Sequence, residues 1–303
     1  KDMIDLMIKT LLSGGHILLE GVPGLAKSLG VETFARVIGG DFKRFQFTPD
    51  KMPGDITGTT IYNEREKKFD QAWGPVFCNI FLADEINRAS PKVQSALLEA
   101  MQEKKVDMDG VRKNIPELFI VLATQNPIEQ VGTYPLAEAQ VDRFMVKYQV
   151  GYPTQEDETE LIVRKNSDFK KRTEDIRQVA DIDDILFMQR LIHDTIQVKK
   201  NVMDYMINIC IATRPLQACE CAELTEIHEY LRLGASPRAT ESLLALSKSH
   251  AFCQGRDIVT FDDVSQCAPH VLRHRILLNN VADAKGVSCD MIVDEVLKQV
   301  RVY

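Results

Sequence analysis

The segment Gly21-Val22-Pro23-Gly24-Leu25-Ala26-Lys27-Ser28 constrains this chain more than any other. A short apolar run at 16–20 precedes it and a helix-like stretch at 27–38 follows. A strand, a glycine-rich loop ending in Lys-Ser, and a helix form the context of a phosphate-binding loop. Backbone N–H groups wrap the phosphates there, and the helix N-terminus adds a favourable dipole. Lys27 is expected to reach the terminal phosphates and the Ser28 hydroxyl to ligate Mg2+. Ala26 stands where such loops usually carry Gly, which matters only if that position needs positive φ. The competing reading is an ordinary strand-to-helix turn.

Short apolar runs at 16–20, 44–47, 79–83, 118–124 and 145–150 read as strands, with helical stretches at 27–38, 91–103 and 136–143. This alternation indicates a parallel sheet covered on both faces. From Tyr152-Pro153 onward strand signals fade, and 155–165, 182–197, 202–212, 225–233, 237–253, 261–277 and 290–300 read as helices. Ser236-Pro237 supplies an N-cap followed by Pro at the first helical position. Thr260-x-x-Asp263 has the spacing of a capping box, with Asp in place of Glu. With 303 residues there is room for two cores. The expected division is an α/β domain over 1–150 and an all-helical domain over 151–303. Ile4, Leu6, Met7, Leu11 and Leu12 already form an amphipathic pattern, so the chain is expected to begin within an element, with native residues upstream.

The net charge of −7 counts against nucleic acid as partner, since duplex binders usually carry a basic face. No apolar run has the length of a membrane span and no signal peptide is evident, so a cytoplasmic protein without membrane insertion is expected. The cysteines at 78, 210, 219, 221, 253, 267 and 289 lack zinc or disulfide-framework spacing and read as reduced thiols.

The second strong signal is Asp84-Glu85 after the apolar run 79–83. A buried strand ending in two acids delivers them to the carboxyl edge of a sheet, where ligands bind in open α/β folds. Asp84 is expected to hold Mg2+ through water and Glu85 to activate the attacking water. The alternative is a pair of solvated acids. Asn126, at the tip of the run 118–124, is a candidate to orient that water; a simple Asn-Pro turn is the alternative. Arg143, in Asp142-Arg143-Phe144, is either a cation favoured at a helix C-terminus or an arginine finger reaching a neighbouring subunit's nucleotide. Arg238, in the first turn after Ser236-Pro237, suits an arginine that reaches the nucleotide across a crevice.

In this order the pieces resemble the AAA+ ATPases, and specifically the MoxR family. The likeness is densest over 20–28, 47–58 (Phe-Thr-Pro-Asp-Lys-Met-Pro-Gly-Asp-Ile-Thr-Gly), 82–103, 123–144 and 233–239. It implies an AAA+ core, an αβα sandwich on a five-stranded parallel sheet, followed by an all-α lid domain. It makes Lys27 and Ser28 Walker A, Asp84 and Glu85 Walker B, Asn126 sensor 1, Arg143 the arginine finger and Arg238 sensor 2. It also implies ATP and Mg2+ as cofactors, a helix-2 insertion within 55–78, and a β-hairpin near 106–115. A homo-oligomeric ring, expected to be hexameric, would remodel a protein client, often one with a von Willebrand factor A domain. Two departures stand out: an upstream adenine-contacting Val-Gly-Gln segment is missing, and Gln71-Ala72-Trp73 replaces an aromatic-Arg pair before Gly74.

Remaining features read more simply. His270 and His274 share a helical face without a third metal ligand. Lys199-Lys200, Lys170-Lys171-Arg172 and the group at 273–275 read as solvated helix ends. Trp73 is either core or a client contact. The first functional reading is a chaperone-like, ring-forming ATPase. A nucleic-acid-dependent motor of the same fold, and an ATP-binding scaffold with little turnover, are the alternatives.

Overall fold

The computed structural model describes residues 2–21, 27–127, 132–166, 176–215 and 225–300. The chain divides into two compact units that interleave in sequence: 1–4, 17–136 and 148–186 form the first, and 5–16, 137–147 and 187–303 the second. The expected domains, split near residue 150, were a single cut.

The strands are β1 (Ile17–Glu20), β2 (Phe42–Gln46), β3 (Gly58–Asn63), β4 (Lys68–Trp73), β5 (Ile80–Asp84), β6 (Lys105–Met108), β7 (Val111–Asn114), β8 (Ile120–Gln125), β9 (Val146–Gln149), β10 (Leu231–Leu233) and β11 (Leu277–Leu278). A five-stranded sheet runs β2-β5-β8-β1-β9, with β2 at one edge. β2 pairs with β5, β5 with β8 and β8 with β1, all in parallel. Every residue of β5 is buried, as are Ile120 to Thr124 of β8. Near-continuous apolar strands of this kind belong to a parallel sheet covered on both faces. The helices Lys27–Ile38 and Pro91–Glu103 have the bounds expected from the sequence. Because neighbouring strands are parallel and Ala83 pairs with Ala123 and Glu20 with Gln125, the C-terminal ends of β1, β5 and β8 share one edge.

Two hairpins project from this unit. β3 and β4 lie within the expected 55–78 insertion, and β6 and β7 match the expected hairpin. Asp109 and Gly110, both at positive φ, make the turn between β6 and β7, the conformation a two-residue hairpin loop requires. Lys113 of β7 sits over the rings of Trp73, at 5.1 Å, and Phe77, at 4.4 Å, and Thr60 of β3 donates to Asp109. Trp73 is half-buried against Phe77, so it braces one hairpin on the other. Ile61, Tyr62 and Phe69 remain exposed.

The second unit is built from helices, among them most of Ile182–Thr195, and Lys200–Ala212, Pro237–Cys253, Phe261–Leu272 and Cys289–Gln299. Met206, Ile209, Leu243, Leu246, Val264, Val271 and Val293 form its core. The box at Thr260 is present: its hydroxyl accepts the Asp263 amide, and the Asp263 carboxylate accepts the Thr260 amide at 2.8 Å. Burial alone would raise the Asp263 carboxyl, but the Arg256 guanidinium, donating at 2.7 Å, and the Thr260 bonds outweigh it and hold the group low. Two differences from the expected helices appear. The expected helix at 225–233 is a short one, Thr225–His228, followed by β10, and the expected helix at 261–277 stops at Leu272. β10 and β11 then pair antiparallel, so the described residues of this part are helical except for one small ladder and an isolated bridge between Gln197 and Ile258. Among the described residues no helix is long and apolar enough to cross a membrane.

Candidate nucleotide site

Val22, Pro23, Gly24, Leu25 and Ala26 lie outside the described residues, as does the Lys27 side chain; the Lys27 backbone opens the helix that follows. Gly21 is buried at the end of β1, and its N–H donates to the Gln125 carbonyl at 3.2 Å. A Cβ there would come within 2.8 Å of the Val150 carbonyl oxygen, so only glycine lets the chain leave the sheet at this point.

Asp84 closes β5 and is 6% exposed. Its Oδ1 accepts from the Thr124 hydroxyl at 2.7 Å, and its Oδ2 from the Ser28 hydroxyl at 3.2 Å. A hydroxyl and a carboxylate so close together make a hard, all-oxygen donor pair of the kind Mg2+ takes, so the residues fit that ion. Asp84 is not left as a bare buried charge, because Arg44 of β2 donates to Oδ2 from Nη2 at 2.6 Å and Nε at 3.1 Å.

Glu85 leaves the strand in the left-handed region, at φ 56° and ψ 51°. That conformation costs a non-glycine residue on the order of 1 kcal/mol. It is held by Thr124, whose hydroxyl accepts the Glu85 amide at 2.8 Å. Glu85 Oε2 accepts from Gln46 at 2.7 Å and from Arg88 at 2.8 Å. Arg44 and Gln46, two apart on β2 and therefore on one face, thus each hold one of the two acids. The backbone turn separates those acids: Asp84 faces Ser28, and Glu85 faces Gln46 and Arg88. Asn126 follows β8, half-buried, and its carbonyl accepts from Asn87 at 3.1 Å.

Ser28, Asp84, Glu85 and Asn126 all lie in the first unit, whereas Arg143 and Arg238 lie in the second. Within that unit Asp142 ties Arg275, Ser236 and Arg238 together. Its carboxylate accepts from Arg275 Nε at 2.7 Å and from the Ser236 hydroxyl at 3.0 Å, and Arg238 Nη1 is 3.5 Å away. Ser236 holds the expected N-cap position but makes no side-chain cap bond; its hydroxyl is directed at Asp142, to which it donates. The solvated-end reading of 273–275 fails for Arg275, which is 6% exposed. Its guanidinium donates to the carbonyls of Phe144 at 2.8 Å, Met145 at 3.0 Å and Val271 at 2.6 Å. His274 Nε2 bonds the Phe144 carbonyl at 3.0 Å; burial, then the Arg275 charge, keeps this imidazole well below its usual range and neutral. Arg143 is half-buried, and its Nε is buried without a hydrogen-bond partner among the described residues.

Sequence reasoning missed Thr124, Arg44, Gln46, Arg88 and Arg275. The one available signal was alternation: Arg44 and Gln46 share a face of a strand whose other face carries Phe45.

Comparison with known proteins agrees with this fold. The family model for ATPases associated with various cellular activities (AAA) matches residues 16–146, and the AAA lid domain model matches residues 223–296. The chain is 45% identical to Chaperone MoxR1 of Mycobacterium tuberculosis, over 99% of this chain and 78% of that protein. It is 40% identical to the Bacillus subtilis protein YeaC, over 100% of this chain and 90% of that one. A crystal structure of a Cytophaga hutchinsonii protein assigned as an ATPase superposes with a TM-score of 0.89 at 42% identity, covering 100% of this chain and 90% of that one. An α/β core with two separately oriented acids at its carboxyl edge, a helical lid and near-full-length relatives together show that the chain belongs to the MoxR family of AAA+ ATPases.

Proposed function

We propose that this protein hydrolyses ATP in a Mg2+-dependent reaction at the edge formed by β1, β5 and β8. The observation that carries this reading is the separation of Asp84 and Glu85 by the left-handed turn between them. One acid faces the Ser28 hydroxyl, and the other is held apart by Gln46 and Arg88. Lys27 and the backbone of 21–28 bind the phosphates. Ser28 and Asp84 would hold Mg2+, Asp84 through water; the ion supplies charge neutralisation on the β- and γ-phosphate oxygens. Among the described residues both side-chain bonds to Glu85 fall on Oε2, and Oε1 is the oxygen we assign to accept a proton from the attacking water. Asn126 orients that water.

Arg143 supplies the remaining positive charge to the nucleotide of a neighbouring subunit in a homo-oligomeric ring, and Arg238 contacts nucleotide as the lid closes. The name of the Mycobacterium tuberculosis relative favours a chaperone-like role. The exposed Ile61, Tyr62 and Phe69 of the β3–β4 hairpin are the surface we assign to a client protein. A cytoplasmic hexamer working with a von Willebrand factor A protein completes the reading.

Phosphate release from ATP tests it. Turnover should require Mg2+ and vanish in Lys27→Ala; turnover that survives chelation, or that the wild type lacks, would refute it.

A further inference from the structure

Arg44 lies on the edge strand of the sheet, and its side chain is 56% exposed while that of Asp84 is 9% exposed. Its planar head closes on a single oxygen, Asp84 Oδ2, through Nη2 at 2.6 Å and Nε at 3.1 Å. Charge-assisted bonds of this type are about twice as strong as neutral ones. The other carboxylate oxygen is committed elsewhere. Oδ1 takes the Thr124 hydroxyl proton at 2.7 Å, and that hydroxyl is fixed by the Glu85 amide at 2.8 Å. Turning Thr124 away would strand the Glu85 N–H. Oδ2, held by an exposed guanidinium, is therefore the oxygen whose donor can be exchanged.

A hydrated Mg2+ brings such donors. The ion sheds water reluctantly, and waters it keeps seek carboxylate acceptors. With Ser28 as a direct ligand, waters on the ion would meet the Asp84 carboxylate, whose Oδ1 and Oδ2 Ser28 approaches at 3.3 and 3.2 Å. A guanidinium and a hydrated cation thus make claims on one oxygen, and their charges repel. Arg44 is the partner that can move. It yields by swinging outward on an exposed, flexible stem.

Building on the assignment of Asp84 as the Mg2+-facing acid, we propose that Arg44 is a positioning residue that competes with hydrated Mg2+ for Asp84. It thereby sets the Mg2+ concentration at which nucleotide binds in its metal-bound form. While it holds Asp84 it keeps the carboxylate compensated and aimed at Ser28. Its departure is part of metal entry.

The test is a Mg2+ titration of the whole chain with a fluorescent ADP analogue, read by binding and by nucleotide-induced thermal stabilisation, with no turnover involved. Arg44→Ala should reach its midpoint at a Mg2+ concentration about tenfold below the wild type, the scale of one lost charge-assisted bond. Each midpoint is read against the same variant's own affinity in EDTA. Arg44→Gln, which keeps most of the stem, should shift the midpoint the same way and serves if the alanine variant folds poorly. A purely structural Arg44 predicts lower stability without nucleotide and an unmoved midpoint, and that result would overturn the proposal. A raised midpoint would also overturn it, making Arg44 a helper of the metal site. If wild-type binding ignores Mg2+, the metal role of Asp84 falls together with the proposal; if only the variants fail to shift, Arg44 alone is misassigned.

Discussion

Thr124 joins the two acids of the candidate site: its hydroxyl donates to Asp84 at 2.7 Å and accepts the amide of Glu85 at 2.8 Å. One buried hydroxyl fixes both the carboxylate that faces Ser28 and the strained backbone that turns the next carboxylate away. Thr124→Val keeps the shape and removes both bonds. It should cost about 1–3 kcal/mol of stability through the unsatisfied partners. Urea unfolding checks the stability, and turnover should fall as well, because Glu85 loses its restraint. A variant as stable and active as the wild type would show that Thr124 only fills space.

Asp142 and Arg275 form a buried pair inside the second unit, with side chains 15% and 2% exposed. Asp142→Ala leaves a buried guanidinium without its carboxylate, a loss of about 3 kcal/mol or more. Arg275→Met removes that charge but also strands the carbonyls of Phe144 and Met145. The double variant should lose less than the sum of the singles, with a coupling of about 1 kcal/mol or more in a double-mutant cycle by urea unfolding. Additive losses would mean the two groups act separately.

Acid should expose the role of Asp263. Its folded carboxyl is held below its unfolded value of about 3.9, so its contribution is complete above that pH and is lost as pH falls through the folded value. The stability gap between wild type and Asp263→Asn, measured by urea unfolding, should therefore be largest near pH 7 and shrink below about pH 4. A gap that stays constant into acid would place the loss in packing rather than in the ionised carboxylate.

The sequence makes some of this arrangement legible and hides the rest for physical reasons. Local chemistry marks Ser236-Pro237 and Thr260 as helix starts and Asp84-Glu85 as a strand end, because caps and apolar runs act over a few residues. The partners of Asp84 are not local. Arg44 reaches it only because β2 borders β5, a pairing across 40 residues. Arg275 looks like one of three basic residues at a helix end, yet the Asp142–Met145 backbone offers enough acceptors to draw it inside. The helix before it stops at Leu272, the following turn carries Arg275 inward, and Leu277–Leu278 pairs with β10. The Ser236 hydroxyl follows the same pattern, leaving its own helix for a carboxylate 94 residues away.

The ring is tested by complementation. Arg143→Ala should bind ATP and lose about three to five orders of magnitude in rate, the scale of an arginine finger elsewhere. Mixed with an excess of inactive Glu85→Gln under exchanging conditions, it should regain activity, since some interfaces then pair an intact Glu85 with an intact Arg143. A mixture that stays inactive while mixed rings form would show that Arg143 does not act on a neighbour.

The most direct measurement compares wild type and Glu85→Gln for binding of a fluorescent ATP analogue and for phosphate release in a single turnover with Mg2+. Glu85→Gln should bind with wild-type affinity and release phosphate about 10²–10⁴-fold more slowly, as expected when only a general base is removed. Release at the wild-type rate, or loss of binding to match any loss of rate, would contradict the role assigned to Glu85.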